Sequence, residues 1–267
     1  MELPPFPLCE DSLVGALCWL AFVGGQPQAP HEMSARSGRA FAGARSRRPV
    51  DVSGIEALCE ACGFGELLPW PVASANDLES PVLVFSPFDA PHFGVLIELD
   101  TQQYLALGRA AQGVASARRR FGERSESAFR LALRAPQDLD RLVLARAAAT
   151  LASAAEPAPA SGAELLEAAA YLAEARGFGA QWLTDAAERI PEEAPHSDAA
   201  IAMVHAANEL DSAAQIYGGI GRDALREAAD LEREERLTIA AGLWAGAARR
   251  EASALAHLRE ATEIWSR

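Results

Sequence analysis

The sequence predicts an α+β domain over residues 1–136, built on a small antiparallel sheet, followed by an all-α domain over residues 137–267. Short apolar runs rich in Val, Leu and Ile, typical of buried strands, occur before residue 137. Alanine-rich amphipathic segments with a helical period fill the remainder. Charge divides at the same place: the first part has 12 arginines and 15 acidic residues, a net charge of −3, and the second has 12 and 22, a net charge of −10.

Composition excludes several classes of function. The net charge of −13 argues against nucleic acid and against an anionic membrane surface as partners. No run approaches the roughly 20 apolar residues needed to cross a bilayer. The residues before Leu8 lack the basic region of a secretory signal. We therefore expect a cytoplasmic globular protein with reduced cysteines.

The first helix is predicted over Leu13–Val23, with Glu10 and Asp11 in its first turn and glycines at its end. Its residues are apolar on nearly every side, which indicates a central position in the core. Cys9 lies at its N-terminus, where the helix dipole favours the thiolate and lowers the pKa of a thiol. Residues 26–49, rich in Pro, Gly and Arg, are predicted to form a partly irregular surface segment.

A second helix is predicted from Val50 to Cys62. Its Cys59 and Cys62 have a metal-like spacing, but no second pair follows, so we predict buried thiols and no metal site. No cofactor is predicted. Strands are expected at Leu67–Trp70 (an edge strand, because of Pro69), Val82–Phe85, His92–Ile97, Tyr104–Leu107 and Ala128–Leu133. The arginines at 118–120 are expected in a loop.

The second half predicts only helices. They are expected at Asp138–Ala154, Ala163–Arg176, Trp182–Ile190 and Asp198–Tyr217, with two more within Arg222–Ser266. Gly177 and Gly179 are taken to end the second of these. Trp244 and Trp265 fall at helical spacing and are read as core residues, with homodimerisation through them as the alternative.

Four segments in this order resemble a papain-like cysteine peptidase, and more narrowly the bacteriocin-processing C39 peptidase family and the butirosin-pathway acyltransferase-like proteins. They are Cys9-Glu-Asp-Ser-Leu-Val-Gly-Ala-Leu-Cys-Trp-Leu, Val52-Ser-Gly-Ile-Glu-Ala-Leu-Cys-Glu-Ala-Cys-Gly-Phe, Leu78-Glu-Ser-Pro-Val-Leu-Val-Phe and His92-Phe-Gly-Val-Leu-Ile. The resemblance covers residues 8–113, and the helical half is similar to the C-terminal half of the butirosin-type proteins. It implies a papain-like first domain with Cys9 as nucleophile and His92 as general base.

Two positions depart from the family pattern. Leu3 stands where the family has the glutamine of the oxyanion hole, and Gly108-Arg109 stands where it has the Asp-Pro pair that orients the histidine. Loss of an oxyanion donor typically costs about 10²–10³ in turnover. Loss of the orienting carboxylate in a related triad costs about 10⁴. The resemblance therefore implies a domain that has lost most of the machinery of peptide hydrolysis.

Two hypotheses of function follow. In the first, the protein binds a peptide without cleaving it, through Phe88, Asp89, Arg109, Arg118 and Arg119, and the resemblance implies a precursor or leader peptide of a ribosomal natural product. The protein would then present this peptide to a modifying enzyme of the same pathway. In the second, Cys9 and His92 form a cysteine-dependent acyltransferase or peptidase, with Asp89 or Asp100 as the substitute orienting residue.

Overall fold

The computed structural model is a mixed α+β protein and describes residues 5–7, 9–47, 64–71, 82–85, 88, 92–99, 102–110, 113–120, 127–133, 140–159, 161–190, 196–220 and 233–266. The chain forms two compact units. The sheet unit comprises Met1–Met33 and Arg48–Gln137, and the helical unit comprises Ser34–Arg47 and Asp138–Arg267. Ser34–Arg47 thus belongs to the helical unit, although it precedes most of the sheet in sequence.

The first helix, α1, spans Ser12–Val23 and is buried from Ser12 to Ala21, as its apolar sequence predicts. Asp11 is its N-cap: the carboxylate accepts hydrogen bonds from the amides of Leu13 and Val14, at 3.0 and 3.5 Å. The helix ends at Gly24, and Gly25 has the positive φ of 77° that ends many helices.

Six antiparallel strands form one sheet in the order β1-β6-β2-β3-β4-β5. Their bounds are Phe64–Pro71, Val82–Phe85, Phe93–Glu98, Gln103–Ala110, Gly113–Arg120 and Ser127–Leu133, numbered β1 to β6 along the chain. The predicted strands are confirmed, including the edge position of β1. The predicted loop at Arg118–Arg120 is wrong, because these residues lie in β5.

The sheet buries side chains on both faces. On one face Val82, Val84, Leu96, Tyr104 and Ala106 form a cluster, here called the Tyr104 face. Leu83, Phe93, Val95 and Leu107 are buried on the opposite face, called the Leu83 face. Helix α1 contacts β2, β3 and β4 and contributes nothing to the cluster of the Tyr104 face. We therefore assign α1 to the Leu83 face.

The segment predicted as partly irregular contains short helices. Helix α2 spans Pro30–Arg36, and two 3₁₀ turns follow at Arg39–Phe41 and Ala44–Arg47. Phe41 is fully buried and packs edge-on against Trp182, with ring centroids 6.2 Å apart. Buried apolar side chains such as Phe41 hold this segment in the helical unit, although Pro, Gly and Arg residues surround them.

The structure describes four further helices in the helical unit: α3 Asp140–Ser153, α4 Gly162–Glu188, α5 His196–Gly219 and α6 Arg233–Trp265. The predicted break at Gly177 and Gly179 is wrong, because α4 continues through both. A Cβ atom on Gly179 would approach Leu210 and Phe41 to 3.2 Å. This glycine therefore serves close packing between elements. Two helices were predicted within Arg222–Ser266; the described part, from Arg233 onwards, is one helix, and residues 222–232 lie outside the described residues.

Two apolar clusters form the core of the helical unit. Trp244 is 4% exposed and belongs to one of them, and Trp265 packs against the other. Trp244 is thus a core residue, as the helical spacing predicts, whereas Trp265 is only partly buried. Among the helices that the structure describes, none combines the length and apolar character needed to cross a membrane.

Candidate functional site

The start of α1 and the start of β3 meet in the sheet unit. The amide of Phe93 donates a hydrogen bond of 2.9 Å to Oγ of Ser12, in the first turn of α1. Cys9 precedes this serine by three residues and His92 immediately precedes Phe93. The hydrogen bond therefore draws the two residues of the predicted Cys-His pair towards one junction, although they are 83 residues apart in sequence.

Burial distinguishes the residues at this junction. Cys9 is 4% exposed and His92 is half-buried. Cys18, in the middle of α1, is buried to the same extent, and this burial raises the pKa of its thiol to about 12. Cys18 is therefore an inert thiol, whereas Cys9 lies two residues before Asp11, the N-cap of α1. Cys59 and Cys62 lie outside the described residues.

The residue opposite the start of β3 leaves no room for an orienting carboxylate. Gly108 pairs with Gly94 across β3 and β4. A Cβ atom on Gly108 would lie 2.9 Å from the Cα atom of Gly94 and 3.2 Å from the carbonyl oxygen of Phe93. The close pairing of β3 and β4 thus favours glycine at position 108. Leu3, Asp89 and Asp100 lie outside the described residues.

The predicted peptide-binding residues lie on β4, β5 and the connection after β2. Arg109 is in β4, opposite Val114 of β5. The guanidinium of Arg119 stacks over the ring of Phe88, 5.6 Å from its centroid. Arg118 is exposed on β5. The structure thus brings Arg119 and Phe88 into contact.

Arg118 and Arg119 do not meet the Cys-His junction, whereas Arg109 directly follows Gly108 in β4. Gly94, near the junction, pairs with Gly108, and Gly108 pairs with Ala115. Arg118 therefore lies two strands away and three residues further along β5, about 10 Å in each direction by standard strand spacings. A ligand held by Arg118 and Arg119 would lie at the β5 edge of the sheet. A ligand held by Cys9 would lie at the start of β3, two strands away.

β5 has an outer edge that no described strand pairs with. Only two residues separate the paired Ala110 and Gly113 along the chain, so this first pair exchanges both of its main-chain hydrogen bonds. The pairs then alternate. Ala115, Ala117 and Arg119 bond inward to β4, while the main-chain groups of Val114, Ser116, Arg118 and Arg120 point to the outer edge.

A buried polar cluster in the helical unit was not predicted. The guanidinium of Arg176, fully buried on α4, donates from Nε to Glu251 of α6 at 2.6 Å and from Nη1 to the carbonyls of Ala40 and Ala42, both at 2.9 Å. Tyr217 of α5 lies beside them. Burial, and then the Glu251 carboxylate, raises the pKa of this phenol above its ordinary value.

The sequence carries only a weak sign of this cluster. In an alanine-rich helix, an arginine is most simply read as a solvated charge, and Arg176 was taken as the last residue before a helix end. The continuation of α4 through Gly177 is what encloses it. Within the part of the chain that the structure describes, no three His, Cys, Asp or Glu residues are grouped to hold a metal ion.

Comparison of the chain with protein-family models, with curated proteins and with solved structures finds no match in any of the three.

Proposed function

We propose that this protein binds an extended acidic peptide, which adds as a strand to the outer edge of β5. The observation that carries the proposal is the strand itself: an edge strand whose outward main-chain groups alternate with inward ones and whose last three residues are arginines. An open edge of this kind is a template for strand addition, in which main-chain hydrogen bonds supply affinity.

The side chains of β5 supply the selection. Arg118 and Arg120 extend from one face of the strand and are exposed, while Arg119 extends from the other and stacks on Phe88. A bound strand with acidic residues at alternate positions would place two carboxylates beside Arg118 and Arg120. Arginine holds a carboxylate in two parallel hydrogen bonds, so these contacts select acidic over basic peptides.

The finer identity of the protein is part of this proposal. The order of Cys9 before α1, His92 before β3 and Gly108 within β4, together with the resemblance, supports a papain-like, C39-like domain that has lost hydrolysis. The peptide would be the precursor or leader of a ribosomal natural product, held for a modifying enzyme of the same pathway. The location of Arg118 and Arg119 away from Cys9 supports holding over cleavage.

The test is isothermal titration with a ten-residue peptide of alternating Glu and Val, compared with its Lys-Val counterpart. Ser116→Pro removes an outward amide donor, which an edge strand tolerates, without removing an inward hydrogen bond. We expect at least tenfold weaker binding by Ser116→Pro, about 1.4 kcal/mol. Ser116→Ala is the matched control and should bind as the wild type does.

Charge reversal provides the second arm. Arg118→Glu should weaken the acidic peptide and strengthen the Lys-Val peptide, because the contact changes sign. Two results would reject the proposal: no heat with either peptide at high micromolar concentration, or equal affinity of the wild type and the Ser116→Pro variant.

The junction at Ser12 and Phe93 favours a second candidate, a cysteine-dependent acyl transfer. The thiolate of Cys9 would attack the carbonyl of a thioester, His92 would take the thiol proton, and a carrier thiol would leave with that proton. Thioesters demand less of an oxyanion hole than amides do. Intact-mass measurement during iodoacetamide treatment tests this: Cys9 must react faster than Cys18, Cys59 and Cys62, and equal rates would exclude the enzyme.

A further inference from the structure

A cavity of about 300 Å³ lies inside the helical unit. This volume is at the lower end of the range of about 300–1,000 Å³ seen for ligand sites. Helices α4, α5 and α6 and the residues after α3 supply its walls. The wall residues that matter here are Leu172, Arg176, Tyr217, Trp244, Ala248 and Glu251.

One donor in this wall has no partner. The Nε and Nη1 atoms of Arg176 are occupied by Glu251, Ala40 and Ala42, whereas Nη2 is buried without a hydrogen bond to any residue that the structure describes. A buried donor without a hydrogen-bond partner destabilises the folded protein. Nη2 of Arg176 would therefore gain a hydrogen bond from an acceptor oxygen of a molecule that enters the cavity.

Charge in the cavity is already balanced. Glu251 neutralises Arg176, with its Oε1 2.6 Å from Nε. Glu156, also in the wall, has its Oε2 3.8 Å from Nε of Arg45. A charged ligand would bring an additional charge into a desolvated space without an opposite charge to meet it. The acceptor is therefore an uncharged oxygen.

The rest of the wall is apolar and aromatic. The rings of Tyr217 and Trp244 pack edge to face, with centroids 5.0 Å apart. The indole N–H of Trp244 donates to the carbonyl of Glu156 at 3.1 Å, so the indole offers a ligand only its ring surface. Leu172 and Ala248 continue this surface. A ligand with an aromatic or aliphatic body fits such a wall.

We propose that the helical unit binds a small uncharged molecule whose carbonyl oxygen, of an amide, ester or ketone, accepts from Nη2 of Arg176 and whose apolar body lies along Tyr217 and Trp244. This site is independent of the peptide site on β5. It lies within the helical unit, on different elements, and either can fail without the other.

The experiment is saturation-transfer NMR on the full chain with three probes that share one body: phenylacetamide, phenylacetate and 2-phenylethylamine. The amide is neutral and has an acceptor, the acid is charged, and the amine is charged and has no acceptor. We expect the strongest saturation of phenylacetamide and at least fivefold less for the other two. No saturation of any probe, or stronger saturation of phenylacetate or the amine, would overturn the proposal.

Two variants locate the signal without touching the buried ion pair. Ala248→Leu fills the cavity, and we expect it to reduce the phenylacetamide signal at least tenfold. Ala245→Leu makes the same change at an exposed position of the same helix and should leave the signal unchanged. Equal signals from the two variants would show that the probe binds elsewhere. A crystal structure with phenylacetamide present, showing only an ordered water at Nη2, would also overturn the proposal.

Discussion

Arg118 in the sheet unit and Arg176 in the helical unit place the same side-chain type in opposite environments. Arg118 is exposed on an edge strand, while Arg176 is fully buried and makes three hydrogen bonds. An exposed charge attracts ligands over a distance, is screened by salt and contributes little to stability. A buried charge depends on its fixed partners. Arg118 is thus placed to recognise a partner, whereas Arg176 stabilises the fold.

Removal of the buried arginine should have the largest effect. Arg176→Met leaves the Glu251 carboxylate buried without a counter-charge and removes the donor to Ala40 and Ala42. We expect a loss of about 3–5 kcal/mol in the free energy of unfolding, measured with urea. Arg118→Met is the matched control and should change stability by less than about 0.5 kcal/mol. Equal effects of the two substitutions would contradict the contrast between the arginines.

A second comparison concerns glycines. Gly108→Ala in the sheet unit forces a Cβ atom against the Gly94 backbone, and we expect it to cost about 1–3 kcal/mol. Gly242→Ala, exposed in α6 with no atom within 4 Å of the added Cβ, should raise stability by about 0.5–1 kcal/mol. Urea unfolding measures both. A stable Gly108→Ala variant would mean that β3 and β4 do not approach as closely as described.

The pH dependence of stability tests the burial of Cys18. Burial raises the pKa of its thiol from 9.0 to about 12, so the folded protein keeps a proton that the unfolded chain releases above pH 9. This contribution is complete below pH 9 and is lost as pH rises towards 12. At pH 10 we expect wild-type stability to fall by about 1.4 kcal/mol more than that of Cys18→Ala, relative to pH 8. Parallel pH curves in urea unfolding would contradict this.

The smallest expected effect is that of the pair on the sheet. Arg119 over Phe88 should contribute about 0.5–1 kcal/mol to the free energy of unfolding, measured as the coupling energy between Arg119→Ala and Phe88→Ala. A coupling energy near zero would show that Phe88 does not stabilise Arg119 on β5. Peptide affinity, measured with the same variants, shows whether the stacked arginine also serves recognition.

Sequence patterns predicted the fold well where periodicity was strong. The apolar runs at Val82–Phe85 and His92–Ile97 predicted β2 and β3 within a residue or two. The acidic residues and glycines that flank α1 likewise predicted its bounds. Sequence patterns failed at β5, because its Ala, Ser and Arg residues lack a strand signal and pairing with β4 determines its conformation. They failed again at Gly177 and Gly179, where tertiary packing overrides the local helix-ending tendency of glycine.

The candidate sites divide in the same way. The sequence predicted Arg118 and Arg119 as peptide-binding residues. Their position on an edge strand depends on strand order, which no local pattern specifies. Arg176 was not predicted as a site residue, because its partners lie 75 residues away at Glu251 and more than 130 residues away at Ala40 and Ala42. Long-range pairing of this kind is a property of the fold. A charged residue's role therefore has to be taken from its partners.

Residue-resolved amide exchange on the sheet unit, with and without the Glu-Val peptide, tests strand addition most directly. In the free protein the amides of Ala117 and Arg119 should exchange slowly and those of Ser116 and Arg118 quickly, because only the first pair bonds inward. With peptide bound, we expect the exchange of Ser116 and Arg118 to slow at least tenfold. Unchanged exchange at both residues, at peptide concentrations that saturate binding, would show that the peptide does not add to β5.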